Sequence, residues 1–186
     1  MLELAIVLLL IACNAFFALS EMSVVTSRKP RLKQMAAEHR SARVALELAE
    51  HPERFLSTVQ VGITSIGILT GIFGGESIGN RIAAWVAPLG LDTRFDAWLA
   101  GLGVNIDINQ TLGTAAVVIL ITYFSIILGE LVPKRIALLA PEKIASGVAM
   151  PMSWVSKIAT PFVWLLSHST RAILRLLRLH RGKDEQ

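Results

Sequence analysis

The chain is short of nearly everything that soluble enzymes and secreted scaffolds use. Its 186 residues include 1 cysteine and 1 tyrosine, and charged side chains make up only 17%. The lone Cys13 excludes an intrachain disulfide and says nothing of redox compartment. A soluble domain carries nearer a quarter charged residues, so the charge deficit argues against a wholly water-facing surface. Aromatics are 6% of the chain, and few flank the basic clusters behind the net charge of +4. A nucleic-acid surface is therefore not expected. The 4 histidines are His39, His51, His168 and His180. None sits at the spacing of a metal pair, and neither a serine elbow nor a phosphate loop is present. His39 and His51 read as surface residues, and no enzyme chemistry is expected.

Apolar sequence is what the chain has in quantity, at 53%. Three runs reach spanning length, at about 4–25, 55–75 and 112–132. The fold class that follows is an all-α membrane protein: three transmembrane helices plus juxtamembrane amphipathic helices. Glu3 precedes the first run, and Arg28, Lys29, Arg31 and Lys33 follow it. A cleaved secretory signal has the reverse order. The positive-inside rule then puts the N-terminus outside and residue 28 onward in the cytoplasm. Within this run Asn14, Ser20 and Ser23 read as interhelical hydrogen-bonding groups. Glu21 reads as an interfacial partner of the basic cluster or as an acid with an ion role.

Residues 30–50 have the charge and spacing of short helices on the cytoplasmic membrane surface, with a helix boundary at His51-Pro52. In the second run Gly67, Gly71 and Gly75 recur every four residues, a ridge of small residues that admits another backbone. Thr64 and Ser65 lie beside it, where exposed backbone could complete an oxygen-lined pocket. Residues 76–111 form the outside connection, with short helices at Ile82–Val86 and Phe95–Leu99 around Pro88 and Gly90. Trp85 and Trp98 suit the interface, and Asp92, Asp96 and Asp107 read as solvated acids.

The third run ends in ITYFSIILGELVPKRIALLAP, Ile121 to Pro141. If Leu112–Leu139 is one helix, Pro133 offers no N–H to the carbonyl of Gly129. A bare carbonyl beside the Glu130 carboxylate is a hard-oxygen pair suited to Mg²⁺, Ca²⁺ or Na⁺. An ionisable residue at such depth costs about 2.5–3.5 kcal/mol and so points to function. The competing reading pairs Glu130 with Lys134, four residues on. Thr122, Ser125 and Gly129 share one face. Beyond Pro141 the apolar sequence is broken by Pro151, Lys157 and Pro161, so residues 142–179 fit amphipathic or re-entrant helices, or a kinked fourth span. Arg171, Arg175 and Arg178 share a face opposite Ile173 and Leu174, as on a helix lying on the cytoplasmic leaflet. A transmembrane domain over 1–180 would then lead into a linker at 181–186, RGKDEQ, and a cytoplasmic domain beyond it.

Taken in order, NAFFALSEMSVVTSRKPRLKQMA, FLSTVQVGITSIGILTGIFGG and ITYFSIILGELVPKRIALLAPEKIA resemble the transmembrane domain of the cyclin M/CorC proteins. The GELVPKR segment is the most specific part. The resemblance implies a homodimer in the lipid bilayer of a bacterial inner membrane, with three spans per subunit and a belt of juxtamembrane helices. It also implies Mg²⁺ efflux, with Na⁺ as a coupling ion, and a cytoplasmic CBS pair that binds ATP. Gly129 and Glu130 match the family's cation-binding Gly-Glu, and Pro133 its helix-breaking proline. Where family members often have a first-span serine this chain has Ala18, and their cation-site asparagine appears as Ile63, after Gly62. Ser20 and Ser65 are the nearby hydroxyls that would replace those oxygens. Relatives with this variation are linked to polyamine export, and Glu130 with Glu21 would serve an organic polycation. The expectation is Mg²⁺ efflux through the third-span Gly-Glu-x-x-Pro break. The alternatives are export of a polyamine (putrescine or cadaverine), or a membrane anchor or sensor for CBS domains.

Overall fold

The computed structural model describes residues 2–86 and 108–176, and every regular element among them is helical. Helix α1, Leu2–Thr26, is 25 residues long and contains neither glycine nor proline, so nothing in it interrupts the helical hydrogen-bond ladder. Helices α2 (Lys29–Glu38) and α3 (Arg40–Glu50) are separated by His39, whose extended backbone ends one helix and starts the next. Pro30 stands in the first turn of α2, where its missing N–H costs nothing. Helix α4, Pro52–Val86, then runs for 35 residues, about 52 Å at 1.5 Å per residue.

The long α4 corrects the expectation that Ile82–Val86 forms a separate short helix, while its apolar part of spanning length ends at Gly74. Glycine weakens a helix by about 1 kcal/mol relative to alanine but removes no backbone donor, so Gly74 and Gly75 do not end it. Residues 87–107, which hold Pro88, Gly90, Asp92, Asp96, Trp98 and Asp107, lie outside the described residues. So do residues 177–186, with Arg178, His180 and the expected linker. The chain resumes in α5, Ile108–Ile126, passes through a π-helical turn at Ile127–Leu131, and continues as α6, Val132–Leu139. Helix α7, Pro141–Leu176, is 36 residues long and unbroken although Pro151 and Pro161 lie inside it. Hydroxyls beside both prolines bond back to the chain: Ser153 Oγ donates to the Met150 carbonyl and Thr160 Oγ1 to that of Ser156, each at 2.8 Å.

Among the described residues two helices are long and apolar enough to cross a membrane, Leu4–Thr26 and Pro52–Gly74. Helix α1 is the common wall of the bundle, packed against α4, the π turn, α6 and α7, while α4 also packs along α5. The buried core gathers where α2, α3 and α7 meet the end of α1 and the start of α4. It contains Val24, Leu32, Phe55, Val59 and Met152 together with four alanines. Ala45 and Ala49 on α3 and Ala145 and Ala149 on α7 are each four residues apart, giving two small-residue faces that let the backbones approach. Glu142, buried in the first turn of α7, accepts from the Arg28 N–H at 3.4 Å and lies 3.7 Å from Arg31. That contact ties α7 to the α1–α2 junction.

Away from this core, large apolar side chains stand open along the long helices, among them Leu8, Ile68, Ile72, Ile119 and Tyr123. An exposed apolar surface of this extent needs lipid or a partner to cover it. Phe55 is 1% exposed at the centre of the core. Phe55→Ala is expected to cost about 3–5 kcal/mol, read as a large fall in the thermal midpoint in detergent. Gly67→Ala, where a Cβ meets nothing within 4 Å, should leave the midpoint of the isolated chain near its parent value.

Candidate functional site

The π turn is the local event that builds the site. It widens the helix by one residue, so that the Val132 N–H reaches the Ile127 carbonyl five residues back. Pro133 follows with no N–H to give to the turn before it. Here the structure departs from the expectation of a bare carbonyl. Asn14 Nδ2, from the middle of α1, donates to it at 3.1 Å in a buried contact. A Cβ on Gly129 would stand 3.1 Å from Asn14 Nδ2 and 3.5 Å from the Ile11 carbonyl, a tight fit to which the amide would have to yield. The other amide atom, Asn14 Oδ1, is buried and has no hydrogen-bond partner among the described residues. It is an acceptor with an open lone pair.

Next to the Gly129 carbonyl in sequence stands Glu130, which points to Lys134. Lys134 Nζ lies 2.7 Å from Glu130 Oε1 and 3.4 Å from Glu21 Oε2 on α1. One ammonium is therefore held between carboxylates from two helices. Lys134, beyond the end of the apolar run, keeps its proton to higher pH than a free lysine. The hydrogen bond it donates to Glu130 is the main cause, and with the charges of Glu130 and Glu21 it outweighs the opposing effect of burial. The lysine side chain is still 31% exposed, and an i,i+4 pair at a surface contributes about 0.3–0.5 kcal/mol. So weak a clasp holds the lysine in place without locking it there.

The other sequence candidates fall in different places. Ser20 is fully buried, and its hydroxyl donates to the Phe16 carbonyl of its own helix at 2.7 Å. Ser65 is exposed on α4. Neither is joined to Gly129 or Glu130 by any hydrogen bond among the described residues. Gly62 is a contact glycine: a Cβ there would stand 2.6 Å from the Phe17 ring, so α1 and α4 close over it. Gly67 and Gly71 have nothing within 4 Å, whereas Gly74 faces Ile121 Cδ1 at 2.7 Å. Within one chain, then, the helix contacts are made by Gly62 and Gly74 rather than by the Gly67–Gly71 ridge, and Gly75 continues α4 beside them. Among the described residues no three His, Cys, Asp or Glu side chains converge as a metal cluster.

Two groups of the site exceed the sequence reading. The sequence reads Asn14 as an interhelical hydrogen-bonding group, and it is one, but the pattern does not name the Gly129 carbonyl as its partner. Glu21 and Glu130 lie more than a hundred residues apart, and only the packing of α1 on α6 brings them to one lysine.

The sequence fits the family described as the cyclin M transmembrane N-terminal domain over residues 4–186. It is similar to a UPF0053 protein of Synechocystis, 44% identical over 94% of this chain and 36% of the relative. It is also similar to the polyamine export protein of Escherichia coli K12, 33% identical over 95% of this chain and 37% of that protein. A UPF0053 protein of Bacillus subtilis is 29% identical over 99% of this chain and 39% of the relative. The chain thus spans well under half the length of these curated relatives.

Asn14→Ala removes the only hydrogen bond described to the Gly129 carbonyl. Polar contacts between membrane helices average about 0.6 kcal/mol and reach about 1.7, so a modest fall in thermal midpoint is expected. Gly129→Ala should match or exceed it, because its Cβ crowds the amide. In the double variant the two effects should be clearly less than additive, as for neighbours sharing one contact.

Proposed function

The chain belongs to the cyclin M transmembrane domain family, and on that premise we propose that it is the membrane-embedded part of a cation exporter whose substrate is a polyamine. The observation that carries this reading is the lysine ammonium between Glu130 and Glu21, at 2.7 and 3.4 Å. A primary ammonium on an alkyl stem is what putrescine or cadaverine presents at each end. Lys134 therefore acts as a tethered stand-in for the substrate, occupying the carboxylates until an incoming amine displaces it. The two acids against one lysine leave a net negative charge, which draws a polycation and is not dispersed by a long-range field. The similar E. coli protein named for polyamine export supports the same class.

A second reading, Mg²⁺ efflux with Na⁺ as coupling ion, is favoured by one specific observation. The unpartnered Asn14 Oδ1 beside Gly129 is a neutral hard oxygen, the donor type that Mg²⁺ takes together with retained waters. In either reading three spans cross the bilayer, the third formed by α5 and the π turn over about 112–132. The N-terminus is outside, and a CBS pair of the whole protein lies in the cytoplasm. The functional unit is a homodimer. Its contact is the groove of about 230 Å³ that Gly67, Thr70 and Gly71 share with Val118, Thr122 and Ser125, where the small-residue ridge is open to a second copy.

Isothermal titration of the purified chain tests the substrate. Lys134→Met should tighten putrescine binding about tenfold by removing the internal competitor, a change of ~1.4 kcal/mol. Glu130→Gln and Glu21→Gln should each weaken it by at least as much. A Mg²⁺ isotherm lost in Asn14→Ala, with no heat from putrescine, would transfer the assignment to the second reading. Flat titrations with every ligand would overturn the site. For the dimer, Gly71→Leu is expected to shift the species seen by light scattering from two chains to one.

A further inference from the structure

A second charged cavity lies apart from the transport site, where α3, the start of α4 and the middle of α7 enclose a cleft of about 400 Å³. That volume is within the roughly 300–1,000 Å³ typical of small-molecule clefts. Arg40, Arg54 and Lys157 line it together with His51, against the single carboxylate of Glu47. The lining therefore carries an excess of positive charge. Arg54 is oriented by a 2.8 Å hydrogen bond from its guanidinium to Thr160 Oγ1, so the fork is placed before any ligand arrives. The cleft opens at residues 51–55, where the spanning segment Pro52–Gly74 begins. This is the level at which lipid headgroups sit.

The chemistry beside the cleft changes from cationic to apolar. Trp154, on its rim, is 71% exposed. Ile158, Phe162 and Leu165 continue from it at helical spacing along α7, all exposed. A free anion would make use of the basic groups alone. An anionic phospholipid would use both features, with its phosphate on the arginine and lysine heads and its acyl chains along the Trp154–Leu165 stripe. Basic pockets at the membrane interface bind lipid headgroups in this way, and an exposed tryptophan suits the same depth. We propose that this cleft is a binding site for an anionic phospholipid, held by Arg40, Arg54 and Lys157 with its chains against α7. The site stands independently of what the exporter carries.

Native mass spectrometry of the detergent-purified chain tests the proposal, with titrations of phosphatidylglycerol, phosphatidylcholine and inorganic phosphate. Phosphatidylglycerol should add one tightly held molecule per chain, about tenfold more tightly than phosphatidylcholine. The Arg40→Gln, Lys157→Gln double variant should bring the two lipids to parity. Both side chains are exposed, so the fold should survive, and an unchanged thermal midpoint checks this. Trp154→Ala should weaken both lipids and leave their ratio unchanged. Equal binding of the two lipids by the parent chain would overturn the proposal, as would an unchanged preference in the double variant. Displacement of phosphatidylglycerol by millimolar inorganic phosphate would also overturn it, assigning the cleft to a free anion.

Discussion

One carbonyl oxygen, that of Gly129, sets the terms for the centre of this molecule. In apolar surroundings each backbone polar group needs a partner, and Pro133 brings no N–H to the turn that holds Gly129. The Asn14 amide supplies one from another helix, at 3.1 Å. At that contact α1 packs on the π turn, and further along it packs on α6. Glu21 lies about two turns beyond Asn14 on α1, within 3.4 Å of Lys134. The hydrogen bond and the ion pair are thus two contacts of one helix with one segment.

Much of this was legible in the sequence. The apolar runs at 4–25 and 55–75 coincide with the two helices of spanning length, and the charge pattern over 30–50 coincides with α2 and α3. The i,i+4 spacing of Glu130 and Lys134 offers their pair as the reading that competes with an ion site, and the pair is present. What was not legible depends on packing or on local winding. Hydropathy reports that a segment is apolar, not where its helix stops, so the end of α4 at Val86 lies beyond what it predicts. Proline signals a lost donor, but two prolines in α7 did not break it, as happens in helices whose packing outweighs one missing bond. A π turn has no composition signature, and the partner that Gly129 finds lies on another helix.

The membrane-facing and core-facing parts of the chain use glycine and alanine differently. Alanines at 45, 49, 145 and 149 bring α3 and α7 together in the buried core. Glycines at 62, 74 and 129 sit where a single Cβ would strike a neighbouring side chain. The first set gives extended contact between helices, and the second relieves single points of crowding along α1 and α5. Both the two-acid clasp and the basic cleft are thereby held by a scaffold whose helix contacts are short and stiff.

The polar groups of α1 also set an order of assembly. The partner of Asn14 lies 115 residues later in the chain, and the Arg28 N–H meets a carboxylate 114 residues later. At 5–20 residues per second of synthesis, the first helix waits roughly 6–23 s before its amide can be satisfied. During that interval an amide and an acid sit in α1 without their native partners, within reach of any helix that enters the bilayer beside it.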